Sequence, residues 1–208
     1  MRKLILSVAA LATMAVGQAQ EKVKTDKVAF GVKAGLNVSG TSTPVESSFS
    51  SLTGMHIGAF VTVPLTSKFT FQPELLYSMQ GFKEHNTKSS GSAIYDSELK
   101  LNYVSVPLVF QYQFEQKFYA ELGPQIDVLM SAKNTLTSTY LYTNTTTTRE
   151  SDVKNYSKSL VFGVDFGAGY HITKSISANV RYHLGLTSAN KTEKFNNRVL
   201  QLSVGYKF

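Results

Sequence analysis

The sequence predicts an all-β fold, an eight-stranded antiparallel up-and-down transmembrane β-barrel, and three observations predict it. Eight segments alternate apolar and polar residues, short turns and long polar loops join them in regular alternation, and the last ten residues alternate strictly up to a terminal Phe. In a strand successive side chains point to opposite faces, so such a segment can turn one face to lipid and the other to a lumen.

The first segment covers about residues 28–38, with Val28, Phe30, Val32, Ala34, Leu36 and Val38 opposite Gly31, Lys33, Gly35 and Asn37. The second, about 54–63, sets Met55, Ile57, Ala59, Val61 and Val63 against His56, Gly58, Phe60 and Thr62. In the third, about 68–82, Phe69, Phe71, Leu75, Tyr77 and Met79 oppose Thr70, Gln72, Glu74, Ser78 and Gln80. The fourth, about 99–114, opposes Val104, Val106, Leu108, Phe110 and Tyr112 to Tyr103, Ser105, Pro107 and Gln111. Its Lys100 and Asn102 fall on the apolar phase, which calls for a bulge near Tyr103 or for emergence from the membrane before it.

The fifth, about 117–131, opposes Phe118, Ala120, Leu122, Ile126, Val128 and Met130 to Glu121, Gly123, Gln125, Asp127 and Ser131. In the sixth, about 159–170, Leu160, Phe162, Val164, Phe166 and Ala168 oppose Gly163, Asp165, Gly167 and Gly169. The seventh, about 175–187, sets Ile176, Ala178, Val180, Tyr182, Leu184 and Leu186 against Ser177, Asn179, Arg181, His183 and Gly185. The eighth sets Leu200, Leu202, Val204, Tyr206 and Phe208 against Gln201, Ser203, Gly205 and Lys207.

Tight turns are expected at 64–67, 114–117 and 171–174, and long loops rich in Ser, Thr, Asn and Lys at 39–53, 83–98, 132–158 and 188–197. An even strand number then puts both ends of the barrel domain, residues 28–208, on the short-turn rim. The Thr-rich stretch 135–149 either prolongs its neighbouring strands beyond the membrane, as Thr and Tyr favour extended structure, or stays a loop. Pro73, Pro107 and Pro124 fall inside strands although a closed barrel has no edge to excuse a missing N–H, so bulges or strand ends are expected there.

The N-terminus reads as a cleaved signal peptide over residues 1–19. Arg2 and Lys3 precede an apolar run from Leu4 to Val16 that is too short to span a bilayer, and Gly17-Gln18-Ala19 supplies the small-residue cleavage site. Residues 20–27 would form a short periplasmic segment. The chain has no Cys, hence neither a lipid-attachment cysteine nor a disulfide framework. The formal net charge is +7, and loss of Arg2 and Lys3 with the leader would leave +5. The lysines are scattered and form no run, so no nucleic-acid partner is expected. No His-Glu-x-x-His, phosphate loop or Gly-x-Ser-x-Gly elbow is present, so neither a cofactor nor enzymatic activity is expected.

Phe30-Gly-Val-Lys-Ala-Gly-Leu-Asn37, Gln72-Pro-Glu-Leu-Leu-Tyr77, Tyr103-Val-Ser-Val-Pro-Leu108 and the Gly-rich sixth segment resemble the small outer-membrane β-barrel proteins labelled "porin family", similar in size and topology to OmpX-like eight-stranded barrels. The resemblance implies a place in the Gram-negative outer membrane and tolerance of the three strand prolines. It leaves activity open, as most members have no assigned chemistry. Some relatives are associated with protein secretion, so an accessory role in an envelope secretion machine is one alternative.

An eight-stranded barrel has a bore that its own side chains fill, while wide channels need about sixteen strands. The inward set holds Glu74, Glu121, Asp127 and Asp165 against Lys33, Arg181 and Lys207, with His56 and His183 nearby. Unpaired buried charge is costly, so a polar plug is expected, centred on Arg181 with Glu121 and Asp165 as partners. The same carboxylates with His183 as base would make a catalytic set only if a nucleophile stood beside that His, and no spacing places one there. His85 is expected in a loop and His171 in a turn. Two aromatic girdles are expected, Phe69, Phe71, Phe114, Phe118, Tyr170, Tyr206 and Phe208 at the short-turn rim and Phe82, Tyr103, Tyr140 and Tyr142 at the other. Tyr206 and Phe208 are also the expected C-terminal membrane-insertion signal, read by barrel-assembly machinery.

The expected function is therefore a plugged structural or surface-interaction barrel, with a narrow channel as a further alternative. Its expected partners are outer-membrane lipid and lipopolysaccharide. A monomer is expected because closure leaves no free edge.

Overall fold

A computed structural model describes residues 27–42, 48–86, 93–140, 142–191 and 195–208. The expected leader 1–19, most of segment 20–27 and four loop tips lie outside the described residues. Nine strands occur in chain order: β1 (Ala29–Ser42), β2 (Ser48–Pro64), β3 (Phe69–Asn86), β4 (Ala93–Gln113), β5 (Phe118–Tyr140), β6 (Thr145–Asp152), β7 (Leu160–His171), β8 (Ile176–Gly185) and β9 (Asn196–Lys207). Eight of them close a ring in the order β1-β2-β3-β4-β5-β7-β8-β9, and β9 pairs back onto β1 from Gly31↔Lys207 to Ser42↔Asn196. All neighbours are antiparallel.

The ring is inside out relative to a water-soluble barrel. Leu36, Ile57, Leu122 and Val204 on the outer face are 55–61% exposed, while Lys33, Glu74, Asp127, Asp165 and Arg181 on the inner face are at most 5% exposed. Closure satisfies every strand edge of the ring, which is what allows a sheet to stand in hydrocarbon. Among the described residues no helix is long and apolar enough to cross a membrane, so strands are the spanning elements.

The strand outside the ring, β6, resolves the Thr-rich stretch. β5 continues to Tyr140 and β6 folds back on it from Lys133↔Asp152 to Tyr140↔Thr145, with Asn144 at φ 50° in the turn. β3 and β4 lengthen alongside, pairing up to Asn86↔Tyr95, and a twisted sheet projects beyond the ring. His85, expected in a loop, therefore sits on β3 against Asp96. The short turns form as expected, and two share one device: Thr66 Oγ1 accepts the Phe69 N–H at 3.0 Å, and Thr173 Oγ1 accepts the Ile176 N–H at 2.9 Å. Phe208 N–H donates to Phe30 O at 2.9 Å, placing both ends of the domain on this rim.

The bulge expected near Tyr103 lies on the partner strand. Asn102 faces Ser131 but Tyr103 faces Leu129, so Met130 is the extra residue and β5 changes phase there. Ser131, read as inward, turns outward and accepts a hydrogen bond from Asn102 at 2.9 Å. A second register shift falls between Ser51 and His56 on β2. The prolines produce neither bulge nor strand end. Recorded pairing skips 61–62 opposite 72–73, 74–75 opposite 106–107, and 108–109 opposite 123–124, with unchanged register on both sides. Each of those gaps contains one proline, so the missing N–H falls where no ladder bond is made.

Candidate functional site

The candidate site is the lumen. At its middle, Lys33, Glu74, Glu121 and Arg181 come from β1, β3, β5 and β8, which are alternate strands of the eight-membered ring. Layers built from alternate strands are a usual way to fill a narrow barrel. Three of the four strands between them supply glycine at this level: Gly58 and Gly205 oppose Lys33, and Gly167 stands between Glu121 and Arg181. Long charged side chains thus reach one another across positions that have no side chain.

Arg181 holds the layer together. Its Nη1 and Nη2 donate to Glu74 Oε2 and Oε1 at 2.9 and 2.8 Å, and its Nε donates to Glu121 Oε1 at 2.7 Å. Lys33 Nζ donates to Glu74 Oε1 at 3.0 Å, and Gln72 Nε2 to the same oxygen at 2.9 Å. Asn179 Nδ2 donates to Glu121 Oε1 at 2.9 Å. Bidentate geometry of this kind suits a guanidinium and is beyond an ammonium. Glu121 was expected as an Arg181 partner and occupies that position. Asp165, the other expected partner, forms a longer ion pair, its Oδ2 standing 3.7 Å from Arg181 Nη1 while its Oδ1 faces His183 Nδ1. Glu74, which sequence reasoning did not pair with Arg181, takes the guanidinium's other edge.

A second group lies beside this layer. Asp165 Oδ1 is 2.7 Å from His183 Nδ1, and Asp127 Oδ2 is 3.4 Å from His183 Nε2. Asp127 also accepts from Ser105 Oγ and from Gln125 Nε2 at 2.8 Å. The glycines make room again: a methyl on Gly163 would fall 2.3 Å from His183 Cε1. His56 forms a third group, with Nδ1 at 2.7 Å from Asn37 Oδ1 and Nε2 at 2.8 Å from Ser203 Oγ. Lys207 is apart from all three, half-buried at the short-turn mouth.

Above the polar groups the lumen turns apolar. Phe82, Leu101, Tyr103, Leu129, Ala132, Val161, Ala189 and Phe195 form one buried cluster. Phe82 stands edge-on to Phe195 at 5.2 Å between centroids, and Asn197 Nδ2 donates to Tyr103 Oη at 3.3 Å. Phe82 and Tyr103, read as members of an outer girdle, thus point inward, each continuing the buried phase of its own strand, Phe82 after Ser78 and Gln80 and Tyr103 before Ser105. Ala189 and Phe195 come from the β8–β9 connection, bonded to each other through Ala189 N–H and Phe195 O at 3.0 Å. That connection also pairs with the β6–β7 segment at Ser157↔Asn190. Two stretches expected to be long polar loops therefore carry part of the cap. Their apolar residues, Val153, Ala189 and Phe195, were the available signal.

The short-turn girdle stands at the outer surface. Its rings pair as Phe69–Tyr112 at 4.9 Å, Phe71–Phe110 at 5.0 Å and Phe118–Tyr170 at 4.7 Å. Tyr206 and Phe208 meet edge-on at 5.3 Å and are both exposed.

A family described as outer membrane protein beta-barrel domain matches residues 18–190. No curated protein matches the chain. Among solved structures the chain is similar to Neisserial surface protein A at 14% identity and a TM-score of 0.49, with 88% of this chain and 100% of that one covered. It is also similar to Ail of Yersinia pestis (9% identity, 88% and 100% covered, TM-score 0.45) and to outer membrane protein W of E. coli (16% identity, 88% and 99% covered, TM-score 0.44). A family match over most of the chain, on a closed ring whose apolar face points outward, makes this chain a member of the outer membrane protein β-barrel family and a resident of the outer membrane.

Proposed function

We propose that this protein is a plugged, structural or surface-interaction barrel that acts through its projecting sheet and outer connections, and that it neither conducts solutes nor catalyses a reaction. One observation carries the reading: the lumen is filled at two successive levels, by the Arg181–Glu74–Glu121–Lys33 layer and by the Phe82–Tyr103–Phe195 cap. A solute would have to break both, and breaking one partner from a buried ion pair costs about 3–5 kcal/mol. The only His–carboxylate group in the lumen, among the described residues, is His183 with Asp127 and Asp165. All three have 0% exposed side chains, so no substrate reaches them.

Outer-membrane lipid and lipopolysaccharide surround the exposed apolar face in this reading. Barrel-assembly machinery would read Tyr206 and Phe208 during insertion. The ring stays monomeric, with no nucleic-acid partner. The test is single-channel recording in planar bilayers on protein whose folding is checked by heat-modifiable gel mobility. Folded protein without conductance steps is the expected result. Reproducible steps that change on Arg181→Ala would overturn it in favour of a narrow channel, and a stable co-purifying secretion component would favour the accessory role.

A further inference from the structure

The short-turn mouth, which faces the periplasm, holds a recess of about 290 Å³ between the turns and the polar layer. Lys27, Lys68, Lys174 and Lys207 line it, with His171 and a set of Thr, Ser and Gln side chains, and no carboxylate is among its lining residues. Lys27, Lys68 and Lys174 are exposed and Lys207 half-buried. The carboxylates behind its wall are already engaged. Gln72 and Gln111, which line the recess, donate to Glu74 and Glu121, and those carboxylates are held by Lys33 and Arg181. Glu115, in the β4–β5 turn, is not among the lining residues.

Four ammonium groups around one small recess repel one another. At physiological salt the Debye length is about 8 Å, so charges gathered around so small a volume are only partly screened. An anion entering the recess relieves that repulsion and meets lysine as a charged donor, the form in which lysine binds phosphate. We propose that the periplasmic mouth is a binding site for a phosphate group, carried by a soluble phosphate compound or by the headgroup of an inner-leaflet phospholipid. The volume lies at the small end of ligand sites, which suits one compact headgroup and excludes a nucleic acid. Thr62, Thr70 and Ser175 add hydroxyl donors to the same wall.

The test uses the full folded chain in two arms. In the first, inorganic pyrophosphate is titrated by calorimetry into protein in a zwitterionic detergent. In the second, native mass spectrometry reads which lipid is retained from nanodiscs that mix phosphatidylglycerol with phosphatidylcholine. The variants are Lys174→Gln/Lys207→Gln and, as a charge-matched control on the projecting sheet, Lys100→Gln/Arg149→Gln. Heat-modifiable mobility verifies the fold of each. Saturable pyrophosphate binding that weakens about tenfold in the mouth variant, through two lost charge-assisted contacts, and not in the control supports a soluble ligand. Retention of phosphatidylglycerol that is lost in the mouth variant, without pyrophosphate binding, supports the lipid headgroup. Absence of both signals overturns the proposal, as does an equal loss in the control, which would reduce the effect to net charge.

Discussion

Arg181 and Glu74 are 107 residues apart in sequence and meet through two parallel hydrogen bonds of 2.8 and 2.9 Å. Their strands, β8 and β3, are not neighbours, and four steps around the ring separate them. The pair is therefore a brace across the full bore, and it fixes the shape of the barrel as well as filling it.

Removing one end of that brace leaves the other buried and uncompensated. Arg181→Met is expected to destabilise the barrel by about 3–5 kcal/mol, and Glu74→Gln by at least as much, because it leaves the buried Lys33 ammonium as well as one edge of the guanidinium without a carboxylate. Urea unfolding in lipid vesicles reads both. In the double variant the losses are expected to fall short of their sum, since each single change already breaks the same contact.

Gly167 stands between Glu121 and Arg181 in the row of paired residues. A methyl there would lie 2.3 Å from Val180 O and 3.1 Å from Glu121 Oε1. Gly167→Ala is thus expected to cost about 1–3 kcal/mol by overpacking. Gly40, where a methyl comes no closer than 3.8 Å to the Ser51 hydroxyl, serves as the comparison, and Gly40→Ala is expected to be nearly neutral in the same assay.

The two closures are in series. Phe82→Ala in the cap is expected to destabilise by about 3–5 kcal/mol as a large-to-small change in a packed cluster, yet to leave the barrel non-conducting because the Arg181 layer persists. Planar-bilayer recordings on Phe82→Ala, Arg181→Ala and the pair check this. Steps in the Phe82→Ala variant alone would show that the polar layer is not a seal.

The projecting sheet is expected to respond to acid. Hydrogen bonds from Lys100 and then Lys83 hold the Glu98 carboxyl below its ordinary 4.5, and the Lys133 hydrogen bond does the same for Glu150. A carboxyl depressed in the folded state stabilises it above the unfolded value, and that stability is lost as pH falls through the folded value. Amide protection factors at 93–101, 132–140 and 145–152, with the intrinsic pH dependence of exchange divided out, are therefore expected to stay flat from pH 8 to about 5 and to fall below about 4.5. Because these pairs are exposed, high salt is expected to shrink the difference.

The ring was legible in the sequence because lipid and a crowded lumen each select one kind of side chain, and alternation records both. All eight ring strands and three turns follow from it, and Arg181, Glu121, Asp165 and His183 were recognisable as inward. Who touches whom was not legible. Contacts across the bore depend on strand stagger, which alternation does not encode, so Glu74, which takes two of the Arg181 hydrogen bonds, was not assigned to it. Above the membrane the pattern loses its cause. There is no lipid to select an outer face, Met130 shifts the phase of β5, and aromatic rings such as Phe82 and Tyr103 take the inward phase that polar residues hold lower in the lumen. The three prolines belong to the same class: their placement is set by where the ladder skips, a property of paired strands and not of any one of them.

Closure of β9 onto β1 gives the barrel a strict dependence on its last residues. Until residues 196–207 are in place, β1 and β8 each present an open edge, and hydrocarbon tolerates neither. A shortened chain would therefore not yield a weaker barrel in proportion to what is missing. It would yield a species that cannot rest in the bilayer at all, which makes a full set of strands a condition for insertion and spares the membrane any half-closed pore.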